Sequence, residues 1–196
     1  MVRNEETRKR IIEETAEIFN KKGYVGTYLS DLTAATGLTK GSIYGNFKDK
    51  EEVSLAAFQH NYNLIRSGFL HYLSKAHTAS EQLLAFIDFY RAEHQRLFER
   101  GGCVLLNTAI DNDDGNPRLQ AAARQGFLNW EKRISSIIEE GVTKKELVAT
   151  NPTAFAQKMI ALIEGSVMLA RTMNDHAILL SNLDALENEI KMLKRN

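Results

Sequence analysis

The sequence predicts an all-α protein in which three N-terminal helices, the second and third of them short, are followed by a longer helical region. Three observations carry this. Apolar residues recur at steps of three and four along most of the chain, the period of amphipathic helices. No segment alternates as a strand would. The only two prolines, Pro117 and Pro152, each follow an asparagine, which reads as an N-cap with proline at the first helical position, where its missing N–H is no loss.

The first helix is expected over 5–22, with Ile11, Thr15 and Ile18, flanked by Ile12, Ala16 and Phe19, on one face, and Gly23 placed to end it. Two short helices follow over 29–36 and 40–47, separated by Gly37-Leu38-Thr39. A longer helix starts at Lys50 and runs into the seventies, because Leu55, Phe58, Tyr62, Ile65, Phe69 and Tyr72 keep the alternating step. Further helices are expected over 80–100, 103–110, 116–140, 151–174 and 178–194. With neither an internal repeat nor a low-complexity linker, the division falls at the start of the long helix, into 1–50 and 51–196.

Hydrophobic residues make up 43% and charged residues 26% of the chain, the balance of a folded soluble protein. The N-terminus is charged where a signal peptide would be apolar, and no run approaches the roughly 18 to 20 apolar residues that cross a bilayer. The expectation is a cytoplasmic protein with no membrane partner. A single cysteine, Cys103, excludes an intrachain disulfide framework. Net charge is zero overall, so a nucleic-acid partner must be argued from local chemistry.

That chemistry lies in the first fifty residues. Two short helices about a tight glycine turn form a helix-turn-helix, small enough for its second helix to enter a major groove roughly 12 Å wide. Leu32, Leu38, Ile43 and Phe47 are spaced to pack on the first helix, leaving Thr39, Lys40, Ser42, Tyr44 and Asn46 to face outward, with Gly41 where a backbone must approach closely. Residues 1–50 hold nine basic and seven acidic side chains, Arg3 included, an excess of two. Binding would therefore lean on hydroxyl and backbone N–H contacts as well as lysines, with a modest salt slope. The competing reading is an ordinary helical bundle in which Tyr44 is core.

Gly23-Tyr24, Thr27, Leu29-Ser30-Asp31-Leu32, Gly37-Leu38-Thr39-Lys40-Gly41-Ser42-Ile43-Tyr44, Phe47 and Lys50-Glu51 together resemble the N-terminal signature of the TetR family of bacterial repressors. The resemblance covers about fifty contiguous residues and combines glycine, aromatic and helix spacing. It implies a helix-turn-helix DNA-binding domain joined to a C-terminal helical domain for ligand sensing and dimerisation, in a transcriptional regulator that leaves its operator DNA when a small-molecule effector binds. It implies that Thr27 and Tyr28 open the second helix beside a phosphate, that Thr39, Lys40, Gly41 and Ser42 meet base edges or backbone, and that Tyr44, Asn46 and Lys50 hold phosphates. Tyr28 stands where a small hydroxyl residue is usual, Thr33 where alanine is, and Asn46 where histidine is common.

Leu179, Leu183, Leu186, Ile190 and Leu193 step by four and three, a heptad seam that asks for a partner helix, either in the same chain or in a second copy. The preceding segment supplies Met159, Leu162 and, four residues after Ala161, Gly165, so the two helices could form half of an intermolecular four-helix bundle. The family resemblance favours the homodimer. Among the aromatic residues of the middle helices, Tyr62, Phe69, Phe86, Tyr90, Phe127 and Trp130 are candidates to line an effector pocket with His94 and Asn107 as orienting groups; plain core packing accounts for the same spacing. Cys103, the ninth candidate effector contact, follows Gly101-Gly102 at a helix start, where a thiol can be activated, or is a buried small hydrophobe. The five histidines have no metal-ligand spacing, no cofactor is expected, and no nucleophile elbow, phosphate loop or paired carboxylates suggest an enzyme. The alternative functions are a helix-turn-helix protein that organises DNA or recruits a partner without an effector, and a helical interaction module.

Overall fold

A computed structural model describes residues 5–195; Arg3, one of the cations counted above, lies outside them. Among the described residues there are nine α-helices: α1 (Glu5–Gly26), α2 (Leu29–Thr36), α3 (Lys40–Asn46), α4 (Lys50–Leu73), α5 (Ala79–Glu99), α6 (Val104–Asp111), α7 (Pro117–Thr143), α8 (Pro152–Thr172) and α9 (His176–Leu193). The only extended pairing described is one isolated antiparallel bridge between Leu147 and Lys194.

The helix ends follow from local chemistry. Gly37 closes α2 in the left-handed conformation (φ 64°), and its N–H donates to the Thr33 carbonyl at 2.9 Å. Asn116 Oδ1 accepts from the N–H groups of Arg118 and Leu119 at 3.0 Å, and Asn151 Oδ1 accepts from Ala154 N–H at 3.0 Å, so both asparagines before proline are N-caps. Gly23 breaks α1 at φ 72°, but a further turn runs on to Gly26. Asp175 caps α9 by accepting from Ala177 N–H at 2.9 Å, so the helix begins at His176, two residues before the expected start.

The chain folds into two compact units whose boundary differs from residue 50. The first comprises the described residues up to Ile65 with Arg100–Gln125; the second is Arg66–Glu99 with Gly126–Asn196. Residues 100–125 join the first unit because α6 packs on α1. Asn107 Nδ2 donates to the Gly101 carbonyl at 2.8 Å and Asn20 Nδ2 to the Arg100 carbonyl at 2.7 Å, while the Asp111 carboxylate accepts from Tyr24 N–H at 2.7 Å. The core of this unit is Ile11, Ala16, Phe19, Leu32, Ile43, Phe47, Val53 and Ala57. Of the four residues expected to seat the two short helices, Leu32, Ile43 and Phe47 belong to it and Leu38, partly buried, packs against it.

In the second unit α9 packs on α8 and α5. Leu179, Leu183, Leu186 and Ile190 are buried there, as is Met159 of α8. The heptad seam is thus satisfied within the chain, which corrects its expected use as a contact between copies: the period fixes which face is apolar, not what covers it. A different face of α8 is exposed. Ala161, Met168 and Leu169 are exposed and Leu162 and Gly165 half-buried, a stripe at helical spacing, and a Cβ on Gly165 would meet nothing within 4 Å. By length and composition α8 is also apolar enough to cross a bilayer, with 39% of that window buried, contrary to the expectation that no such stretch exists. A helix apolar on its outer as well as its inner face needs a second cover.

Arg91 on α5 clamps α9, donating to Asp184 at 2.7 Å and to Glu187 at 2.6 Å, and Lys191 pairs with Glu187 at 2.6 Å. Hydrogen bonds from Lys191 and Arg91 hold the Glu187 carboxyl below the usual range. A carboxyl depressed in the folded state stabilises at pH above its unfolded pKa, roughly 4.3, and loses that contribution as pH falls through the folded value. Glu187→Gln should therefore lower stability by about 0.5–1 kcal/mol at pH 7, the range for partly exposed pairs. The gap to the parent should close as urea midpoints are measured from pH 5 downward; a gap independent of pH would rule out the charge as its cause.

Candidate nucleic-acid interface

The second short helix, α3, is positioned from within by Ile43, fully buried, and Phe47, 1% exposed. Its N-terminus is set by Thr39, whose Oγ1 accepts from Ser42 N–H at 3.2 Å. Thr39, Lys40 and Gly41 are exposed and Ser42 and Tyr44 half-buried, so one end of α3 offers two hydroxyls, an ammonium and a bare stretch of backbone. Tyr44 packs against the core by its ring. Tyr28, the N-cap of α2, is 67% exposed, and its N–H donates to Asp31 Oδ2 at 2.8 Å.

Three expected contacts are placed differently. Thr27 is fully buried, with Oγ1 donating to the Gly23 carbonyl at 2.6 Å, so its hydroxyl serves the turn between α1 and α2 instead of facing a phosphate. Asn46 is buried, its Nδ2 donating to the Ser42 carbonyl at 2.9 Å. Lys50 Nζ donates to the carbonyls of Tyr24 at 2.7 Å and Thr27 at 2.9 Å, and lies over the Tyr24 ring. Burial lowers the pKa of this ammonium, and the charge of Asp111 opposes that shift. Lys50 thus ties α4 to the turn that starts α2, with two of its three donors committed.

The same holds for most other cations of the segment. Arg8 donates to the Asn46 carbonyl at 2.6 Å and to Glu52 at 2.7 Å, Arg10 to the Thr36 carbonyl at 2.7 Å, and Lys22 to Asp31 at 2.7 Å. Lys40 and Lys48 remain exposed. Lys48 was not among the residues picked out by sequence, although a lysine directly after the second short helix is the signal that would have found it.

The nine effector-pocket candidates divide between the two units. In the second unit Phe69 packs against Phe86 at 5.0 Å between ring centroids, Tyr90 at 5.7 Å and Trp130 at 6.1 Å. His94 sits apart from them, with Phe98 at 5.9 Å and His176 at 5.1 Å, and Phe127 is half-buried on α7. In the first unit Tyr62 stacks on Phe58, Cys103 is a buried thiol outside any disulfide, and Asn107 is held by the hydrogen bonds described above. Among the described residues no group of three or more His, Cys, Asp or Glu could hold a metal ion.

Comparison with known proteins places both parts of the chain. Residues 11–57 match the family model for bacterial regulatory proteins of the tetR family, and residues 79–186 match the tetracyclin repressor-like C-terminal domain. A TetR-family transcriptional regulator of Cytophaga hutchinsonii is 41% identical, with 97% of this chain and 96% of that one covered and a TM-score of 0.91. A TetR transcriptional regulator of Chloroflexus aurantiacus is 36% identical over 100% and 99% of the two chains, with a TM-score of 0.93. An HTH-type transcriptional regulator from the lacX 3' region of Lactococcus lactis is 26% identical over 94% of this chain and 93% of that one. The exposed helix-turn-helix and the helical region that follows it are those of a DNA-binding transcriptional regulator, not of an enzyme, and the chain belongs to the TetR family.

Proposed function

We propose that the protein is a cytoplasmic homodimeric repressor that leaves its operator when a small-molecule effector binds. The observation that carries the DNA-binding part is the exposed end of α3, where the core leaves the side chains of Thr39 and Lys40 and the backbone at Gly41 to solvent, with Ser42 half-buried beside them. Tyr28, Tyr44 and Lys48 flank it and would hold phosphates. In this reading residues 1–50 bind DNA and 51–196 sense and dimerise. The exposed stripe of α8 around Gly165 supports a second copy of the chain as its cover, and two copies would present the recognition helices roughly 34 to 36 Å apart, one DNA turn. Repression is supported by the family to which residues 79–186 belong. Complete reversal of operator occupancy, from 99:1 to 1:99, needs about 5.5 kcal/mol of differential affinity between the two states.

Binding to promoter DNA beside the protein's own gene, by mobility shift at two salt concentrations against an unrelated duplex, tests the reading. Specific complexes at dimer stoichiometry with a modest salt slope are expected. Lys40→Ala should weaken them about tenfold or more, because each dimer loses the contact twice. Unchanged affinity in Lys40→Ala and Tyr44→Phe would remove these side chains from the interface, and equal affinity for both duplexes would favour the DNA-organising alternative.

A further inference from the structure

The aromatic cluster of the second unit contains one polar group that its surroundings do not satisfy. Trp130 is 8% exposed, yet its indole Nε1 has no hydrogen-bond acceptor among the described residues. Buried tryptophan N–H groups ordinarily find a partner, and an unmatched one is a cost that a ligand can relieve. The walls around it are rings. Tyr90 lies nearly parallel to the indole, at 20° with centroids 6.1 Å apart, and Phe69 touches both. Beside Phe69, the lack of a side chain at Gly68 lets Phe89 press on α4: a Cβ there would lie 2.6 Å from Phe89 Cε2.

We infer that the effector is a planar aromatic molecule bearing a carbonyl oxygen, which enters the stack of Phe69, Tyr90 and Trp130 and accepts the Trp130 indole hydrogen bond. This rests on the effector-release reading above and adds the chemical class. Flatness follows from the walls, since a flat ring replaces ring-to-ring contacts with contacts of the same kind. The acceptor follows from the indole, which can only donate. Phe86 closes the cluster behind Phe69. A site built to give a hydrogen bond discriminates against a ligand that cannot take it, because the donor is then left buried and unpaired.

Trp130 is the chain's one tryptophan, so the full-length protein labelled with nitrogen-15 gives one indole cross-peak. Acetophenone and α-methylstyrene are the probes, alike in shape except that a carbonyl oxygen replaces a methylene. Acetophenone should move the indole proton downfield to a plateau and bind about tenfold or more tightly than α-methylstyrene. In Trp130→Phe that ratio should fall towards one. Equal affinities in the parent, or an indole peak that stays fixed up to the solubility limit of acetophenone, would overturn the inference. The same titration run on the operator complex separates it from the release reading. An indole shift at unchanged operator affinity would defeat release and leave the site, whereas equal probe affinities would defeat the site and leave release standing.

Discussion

Gly23→Ala should destabilise the protein by roughly 3 kcal/mol or more, out of a total that for domains of this kind is about 5–15 kcal/mol. Two independent effects act at this position. Its backbone, at φ 72° and ψ 177°, lies in a region open essentially to glycine alone, and forcing a side chain into it costs about 1–3 kcal/mol. The new Cβ would also stand 2.3 Å from Asp111 Oδ1 and 2.6 Å from its Cγ. Asp111 cannot simply withdraw, because it accepts the Tyr24 N–H at 2.7 Å, and a part-buried donor left without its acceptor costs about 1–3 kcal/mol more. The disturbance has a path towards the DNA-binding helices, since Lys50 bridges the carbonyls of Tyr24 and Thr27 just before α2. Urea unfolding measures the loss. Gly45→Ala is the control: it sits in α3 with nothing within 4 Å of the added carbon, and alanine there should be neutral or stabilising by up to about 1 kcal/mol. In a double-mutant cycle Asp111→Ala should return the part of the Gly23→Ala loss that is collision and none of the part that is backbone. Strict additivity would show that the clash is relaxed elsewhere.

The contrast between Gly23 and Gly45 marks where the sequence was readable. A glycine after an apolar-periodic segment announces a break, and the helix boundaries at Gly37, Asn116 and Asn151 were legible because each end is settled by one residue and its immediate neighbours. The exposed end of α3 was legible for the same reason. Thr27 and Asn46 were not, because a small polar side chain that bonds a carbonyl four residues back can lie in a core, and residue type alone does not separate that from a side chain aimed at a phosphate. Lys50 was read as a free cation, and only the return of the chain through Tyr24 to Thr27 shows what engages it. The aromatic candidates divided for a topological reason. Tyr62 precedes the point at which α4 passes from one compact unit to the other and Phe69 follows it, although both keep the same helical phase. Along α9 the steps of four and three are identical whether the covering helix belongs to the same chain or to another. The residues that could have decided were on α8, whose apolar positions exceed what one buried face can use.

That surplus yields the second large effect. In the proposed dimer, Met168→Glu should dissociate the protein into folded monomers and abolish operator binding at concentrations where the parent binds. Met168 is 45% exposed and Leu169 43% in the single chain, so a carboxylate at 168 is solvated in the monomer and should leave its helical signal and melting unchanged. Closing two copies over this stripe would strip water from the charge among the apolar neighbours Ala161, Leu162, Gly165 and Leu169, and the exposed Arg171, three residues on, can offset only part of that cost. An unpaired buried charge costs about 3–5 kcal/mol, and a self-complementary interface incurs it in both copies. Even half of the combined figure, about 3–5 kcal/mol, weakens dimerisation at least a hundredfold at about 1.4 kcal/mol per factor of ten. Met168→Leu keeps the apolar surface and should remain dimeric. Sedimentation equilibrium of the three proteins decides between faces. If the glutamate variant stays dimeric at micromolar concentration, the copies meet elsewhere and the exposed face of α8 needs a different cover. If it is monomeric, folded and unable to bind operator, the apolar excess of α8 is accounted for by a second copy of the chain.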